Sequence, residues 1–324
     1  MANDFSPTDP MRSRIATVAE RFHSVQRTFD EYAQAFDEAV AWLSSVGAKI
    51  SGTRIALYRA ILTELAAHQR GGTLEQFAKS ASNDYQRRWV NARVESAQLI
   101  RRHAALQISR DAELMKKLRK VTPGHELTFL EPVGAGPSER DLAFELDIAA
   151  DFVSAGYEVD FGHSGDVMAS RQEHTVYSEC KRPRSLKRVP AAIKKGLSQL
   201  NPCYASSTRP SYASGILVLS IGRLINPKLD VAIVGDLDSL GALAGAEVRS
   251  FMDDHHRHWQ RAGDARTLGA VVILDLPGVH GQVVPELAMA RHMASNQRDE
   301  SDIAARELLT RIFYDVFSPA AASP

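Results

Sequence analysis

The spacing of apolar residues changes character partway along this chain, and that change limits the folds open to it. Up to about residue 120 apolar residues recur every three or four positions, the period of an amphipathic helix. Ile15, Val18, Phe22, Val25, Phe29, Tyr32, Phe36, Ala39 and Leu43 fall on one narrow stripe, which predicts a long first helix with a coiled-coil-like seam. Further helices are predicted near 54–69, 73–106 and 109–120, with Gly47, Gly52, Gly71 and Gly72 at the breaks. The seam can be covered by these later helices or by the same helix of a second copy. Intramolecular packing is the favoured reading, and a homodimer through this helix is the alternative.

From Val121 the pattern lapses into a stretch rich in Pro and Gly, with Pro123, Gly124, Pro132, Gly134, Gly136 and Pro137. Beyond it, short alternating runs interleave with helical ones. A helix near 138–155, N-capped by Ser138, leads to strands near 157–161, 166–170 and 174–182. A helix near 189–201, a buried strand at 214–222, a long helix within 229–262, strands near 269–276 and 282–288 and a last helix near 299–317 follow. The α-β-β-β-α-β order predicts an α/β domain, a mixed sheet flanked by helices, preceded by an all-α domain. The boundaries are 1–125 for the helical domain, 126–137 for the linker, 138–318 for the α/β domain and 319–324 for a disordered tail.

Composition excludes several classes. The 324 residues are 44% hydrophobic, and no apolar stretch approaches the ~20 residues that span a bilayer. The polar amino terminus lacks the apolar core of a secretory signal, so a cytoplasmic protein without a membrane partner is expected. Two cysteines, Cys180 and Cys203, are too few for a disulfide framework. The formal net charge is zero, yet residues 1–125 carry 19 Lys and Arg against 13 Asp and Glu, with the reverse excess beyond. Residues 85–120 hold ten basic groups against three acids, and the run Lys181, Arg182, Arg184, Lys187, Arg188, Lys194 and Lys195 contains no acid. Each run by itself is an ordinary solvated surface.

Chemistry concentrates around that second run. In the strand HTVYSECKR, Tyr177, Glu179 and Lys181 share one face, with Val176, Ser178 and Cys180 on the other. Asp166 opens the preceding strand, and a hairpin of this length brings it near Glu179. Two carboxylates at close range repel unless a cation lies between them. Oxygen ligands of this kind suit Mg²⁺, with Mn²⁺ as a substitute. Glu145 lies within or beside the buried stripe of the helix that starts at Ser138, where an unpaired carboxylate would be costly. Beside a cation, a partly buried Lys181 is expected to hold its proton less tightly. Cys180 reads as a small packed hydrophobe, and DDHHRHWQ reads as a hydrophilic helix face rather than a metal site.

The pattern of Asp166, twelve residues, Glu179, one residue and Lys181, after a helix bearing Phe144 and Glu145 and the phrase SAGYEVDF, resembles the PD-(D/E)XK nuclease superfamily. YSECKRPRS and the FE…GYEV spacing are similar to its restriction-endonuclease-like and Mrr-like branches. The resemblance covers roughly residues 139–222. It implies a restriction-endonuclease-like core, Mg²⁺ bound by Asp166 and Glu179, an assisting Glu145, and Lys181 activating or orienting the attacking water. Gly165 stands where the family often has proline, and Gln199 and Tyr204 are five apart where some branches have four, so Gln199 carries over only weakly.

The expected protein is thus a Mg²⁺-dependent nuclease, acting on DNA in preference to RNA, by attack of a metal-activated water. Arg182, Arg184, Lys187, Arg188, Lys194, Lys195 and Gln199 are the expected nucleic-acid contacts, and binding should weaken with salt. Restriction, repair and defence are the roles such a resemblance implies. Two rivals stand beside it: a nuclease fold that only binds nucleic acid, and a scaffold or regulator working through its first helix.

Overall fold

The computed structural model describes residues 28–131, 138–163, 165–207, 210–228, 230, 232–260, 264–280, 286–298 and 303–317. The amino-terminal part of the expected seam, from Ile15 to Val25, lies outside the described residues. So do residues 132–137 of the expected linker and the tail at 319–324.

The helical region comprises α1 (Phe29–Ser45), α2 (Arg54–Arg70), α3 (Leu74–Ser80), α4 (Asn83–Leu106) and α5 (Ala112–Leu118). Thr28 and Glu31 form a capping box that fixes the start of α1. Tyr32, Phe36, Ala39 and Leu43 of the seam are buried, and α1 packs on α2 and α4 of the same chain. The single helix expected over 73–106 is two. Ala81 and Ser82 are extended, and the Ser82 hydroxyl accepts the Tyr85 N–H, so α4 starts afresh from its own N-cap.

The α-β-β-β-α-β order is present as α6 (Glu139–Ser154), β1 (Glu158–Asp160), β2 (Val167–Arg171), β3 (His174–Lys181), α7 (Val189–Ser206) and β4 (Ala213–Ser220). Ser138 caps α6 in a capping box with Asp141. The chain continues through α8 (Gly222–Ile225), β5 (Ala232–Ile233), α9 (Leu237–Trp259), β6 (Thr267–His280), β7 (Glu286–Gln297) and α10 (Ile303–Ile312), which runs into a π-helical turn at Phe313–Phe317. These strands form one mixed sheet of order β1-β2-β3-β4-β6-β5, with β7 on the other edge of β6. β1, β2 and β3 are antiparallel, whereas β4 runs parallel to β3 and to β6. One face is covered by α7 and α9 through Val189, Ile193, Leu240 and Val248. The opposite face carries α6 and Phe317, and its core continues without a break into α4, α2 and α1. Phe36, Leu43, Leu65 and Phe152 are fully excluded from water there, each worth about 1.5–3 kcal/mol of burial.

Residues 282–285 of the strand expected near 282–288 lie outside the described residues; from Glu286 the strand is present as β7 and runs on to Gln297, antiparallel to β6. The segment ARHMASNQ has little β propensity, and tertiary partners override it. Arg291 pairs with Asp151 of α6 at 2.9 Å, and Asn296 accepts the Trp259 indole N–H at 2.8 Å.

A buried ion network joins the helical region to α6. Glu95 of α4 receives Arg54 at 2.8 Å and Arg140 of α6 at 2.6 Å, with the Tyr58 hydroxyl at 3.1 Å. Burial alone would raise the Glu95 carboxyl, but Arg140 and Arg54 outweigh it and hold it at about 2. Arg140 also meets Glu131 at 3.2 Å, and Glu131 in turn holds Arg223 at 2.8 Å.

Candidate active site

The pairing of β2 and β3 sets Val167 opposite Ser178, which carries Asp166, the residue before β2, alongside Glu179. Asp166 Oδ2 accepts the Cys180 N–H at 2.8 Å and the Lys181 ammonium at 3.1 Å. The same ammonium donates to Glu179 Oε2 at 2.8 Å and to the Cys180 carbonyl at 3.1 Å. Asp166, Glu179 and Lys181, thirteen to fifteen positions apart in sequence across the hairpin, are therefore in direct contact. Period-2 alternation does this, because Glu179 and Lys181 leave β3 on one face while Cys180 goes into the core on the other.

α7 closes over that face. At Gly196 an added Cβ would stand 2.5 Å from Leu217 Cδ1 and 3.4 Å from Lys181 Cε, so the lysine stem lies along the bare backbone of the helix. At Gly165 a Cβ would meet Cys203 Sγ at 3.2 Å and Glu179 Oε1 at 3.7 Å. The turn before Asp166 thus passes close to the Glu179 carboxylate.

Burial and charge make this a strained group of acids. Glu179 is 1% exposed, and no hydrogen-bond donor among the described residues reaches its Oε1. Burial, and then the neighbouring Asp166, push the Glu179 carboxyl up to about 7 against the pull of Lys181. Glu145, on α6, is likewise raised to about 7 by burial and by Asp166, with Lys117 and Lys181 opposing. Lys181 itself is shifted upward. Burial works to lower its proton affinity, but Asp166 and Glu179 outweigh burial, and its pKa stands above the ordinary lysine value.

Sequence reasoning missed Lys117. In sequence it is one of the ten bases of residues 85–120, yet its ammonium lies 3.5 Å from Glu145 Oε2 and 3.4 Å from the Asp166 carbonyl oxygen. The signal available was its position three residues after Leu114 and one before Leu118, both fully buried, which turns it toward the core. His163 was missed too. Its Nδ1 accepts the Gly165 N–H at 3.2 Å, beside the turn that leads to Asp166.

The expected phosphate contacts divide. Arg182 and Arg184 reach Asp141 at 3.0 and 2.9 Å, and Arg182 also lies 3.8 Å from Glu131. The run has no acid in sequence, but the fold supplies these acids from α6 and the segment before it. Lys187, Arg188, Lys194 and Lys195 are exposed around the start of α7. Gln199 is half-buried, and its Oε1 has no partner among the described residues. In DDHHRHWQ, Asp253 and Asp254 are exposed on α9. Among the described residues no three His, Cys, Asp or Glu side chains gather as a ready-made metal site.

No helix of the described residues is long and apolar enough to cross a membrane. Compared with protein-family models, curated proteins and solved structures, the chain matches none.

Proposed function

We propose that the chain is a Mg²⁺-dependent nuclease of restriction-endonuclease-like build, hydrolysing phosphodiester bonds in DNA in preference to RNA. The observation that carries this is the contact of Lys181 with both Asp166 and Glu179, at 3.1 and 2.8 Å, at adjoining strand ends. The α-β-β-β-α-β order and Glu145 on the preceding helix support it further.

The donor set fits a hard divalent cation. Asp166 and Glu179 share the Lys181 ammonium, burial makes the charge of Glu179 and of Glu145 costly, and Glu179 Oε1 has no donor among the described residues. Asp166, Glu179 and Glu145 would hold Mg²⁺, or Mn²⁺ in its place. A cation held there would supply Lewis acidity, lowering the pKa of a water so that its deprotonated form serves as nucleophile near neutral pH. Lys181, held against Gly196 by its stem, keeps a positive charge where phosphoryl oxygens and the attacking water must lie. Exposed Lys187, Arg188, Lys194 and Lys195 would engage flanking phosphates and fix the strand in register.

One observation favours a second reading. The Lys181 ammonium itself fills the gap between Asp166 and Glu179, and so neutralises them without a cation, as a fold that only binds nucleic acid would need. Incubation of the full chain with a mixed panel of duplex DNA, single-stranded DNA and RNA separates the two. Cleavage in Mg²⁺ or Mn²⁺ that stops with EDTA is expected. Salt-sensitive binding with no cleavage in either metal would instead favour the binder.

A further inference from the structure

The carboxylate cluster meets a second lysine, and that lysine comes from outside the α-β-β-β-α-β unit. α5 and the two residues that follow it carry a dense basic sequence, MKKLRK, of which Lys116, Arg119 and Lys120 are exposed. Lys117 differs because Leu114 and Leu118, fully buried, anchor the adjoining face of the helix. Its side chain is only 21% exposed, and its ammonium stands 3.5 Å from Glu145 Oε2. The same ammonium is 3.4 Å from the carbonyl oxygen of Asp166. It therefore links α6 to the turn that begins β2.

With every group ionised, Glu145, Asp166 and Glu179 together with Lys117 and Lys181 sum to a single negative charge. One divalent cation turns that into a single positive charge, which matches the single negative charge of a phosphodiester. Without Lys117 the same cation leaves the cluster neutral. We propose that Lys117 is a positioning residue of this centre, supplied by the helical region, which ties Glu145 to the Asp166 turn and sets the charge so that one divalent cation suffices. This rests on the nuclease reading above, and it makes the helical region part of the site rather than only a recognition module.

The test uses the full chain and two readouts. Mn²⁺ binding is followed by electron paramagnetic resonance without nucleic acid, and DNA cleavage is followed in Mn²⁺, for the parent, Lys117→Met, Lys117→Gln and Lys117→Arg. A lost positive charge at this range strengthens cation binding by about tenfold. Lys117→Met and Lys117→Gln are thus expected to bind Mn²⁺ more tightly by about tenfold, while cleaving at least several-fold more slowly. Lys117→Arg should stay close to the parent in both, with one Mn²⁺ bound per parent chain. A lysine with a merely structural role would weaken Mn²⁺ binding and cleavage together. Mn²⁺ affinity that is unchanged or weaker in both neutral variants, while the parent binds Mn²⁺, overturns this inference and leaves the nuclease reading standing. A parent chain that binds no Mn²⁺ overturns both.

Discussion

Replacing Glu95 tests whether the helical region and the α/β part are locked together by charge. Glu95 is buried at 7% exposure between Arg54 and Arg140, each bonded to it at 2.8 Å or less. Glu95→Ala leaves both buried guanidinium groups without the carboxylate they share. Breaking a buried pair in this way costs about 3–5 kcal/mol. The proton linkage points to a similar magnitude. A carboxyl held at about 2 in the folded chain, against the ordinary 4.5, contributes about 3 kcal/mol. Because the folded pKa is the lower one, that contribution is complete above about pH 4.5 and is lost as pH falls toward 2. Urea unfolding of parent and Glu95→Ala at pH 7, followed by tryptophan fluorescence and far-ultraviolet circular dichroism, measures it. Trp89 lies on α4 and Trp259 on α9, so the two sides of the junction are both reported. Loss of less than about 1 kcal/mol would refute the reasoning, since that is the scale of an exposed pair.

Three further outcomes are expected. His292 is 3% exposed, and burial, with Arg249 adding to it, lowers its pKa to about 4; stability should therefore be complete above about pH 6.5 and decline as pH falls toward 4. His292→Gln should flatten that decline in urea midpoints measured across the range, and an unchanged slope would count against it. Gly196→Ala sets a methyl 2.5 Å from Leu217 and against the Lys181 stem, so it should cost about 1–3 kcal/mol in thermal unfolding and slow cleavage as well. The double variant Lys194→Ala and Lys195→Ala should lower the slope of log affinity against log salt by about 1–2; a slope equal to the parent's would remove these two lysines from the interface.

Local pattern made much of this fold legible. Alternation in HTVYSECKR put Glu179 and Lys181 on one face, and the hairpin length brought Asp166 to them. Ser138 and the stripe through Leu142 and Ile148 located α6 and the half-buried Glu145. Interactions between distant segments were not legible. Lys117 meets Glu145 across 28 positions, and Arg182 meets Asp141 across 41. A charge run in sequence therefore could not reveal which of its members face solvent. The extent of β7 is hidden for the same reason: Arg291, Ser295 and Asn296 look like loop residues until Asp151, β6 and Trp259 supply their partners. The zero net charge likewise conceals a local arrangement, with Lys117 and Lys181 against Glu145, Asp166 and Glu179 and with exposed Lys187, Lys194 and Lys195 nearby in sequence.

Lys181 and its two carboxylates carry the proposed chemistry. Single-turnover cleavage of DNA in Mg²⁺ by the parent, Asp166→Asn and Lys181→Ala, each first shown by circular dichroism to be folded, measures their role. A metal-dependent rate in the parent that falls on the order of a hundredfold or more in both variants is the predicted result. Cleavage by either folded variant at the parent's rate, or a parent that cleaves no nucleic acid with Mg²⁺ or Mn²⁺, would contradict it.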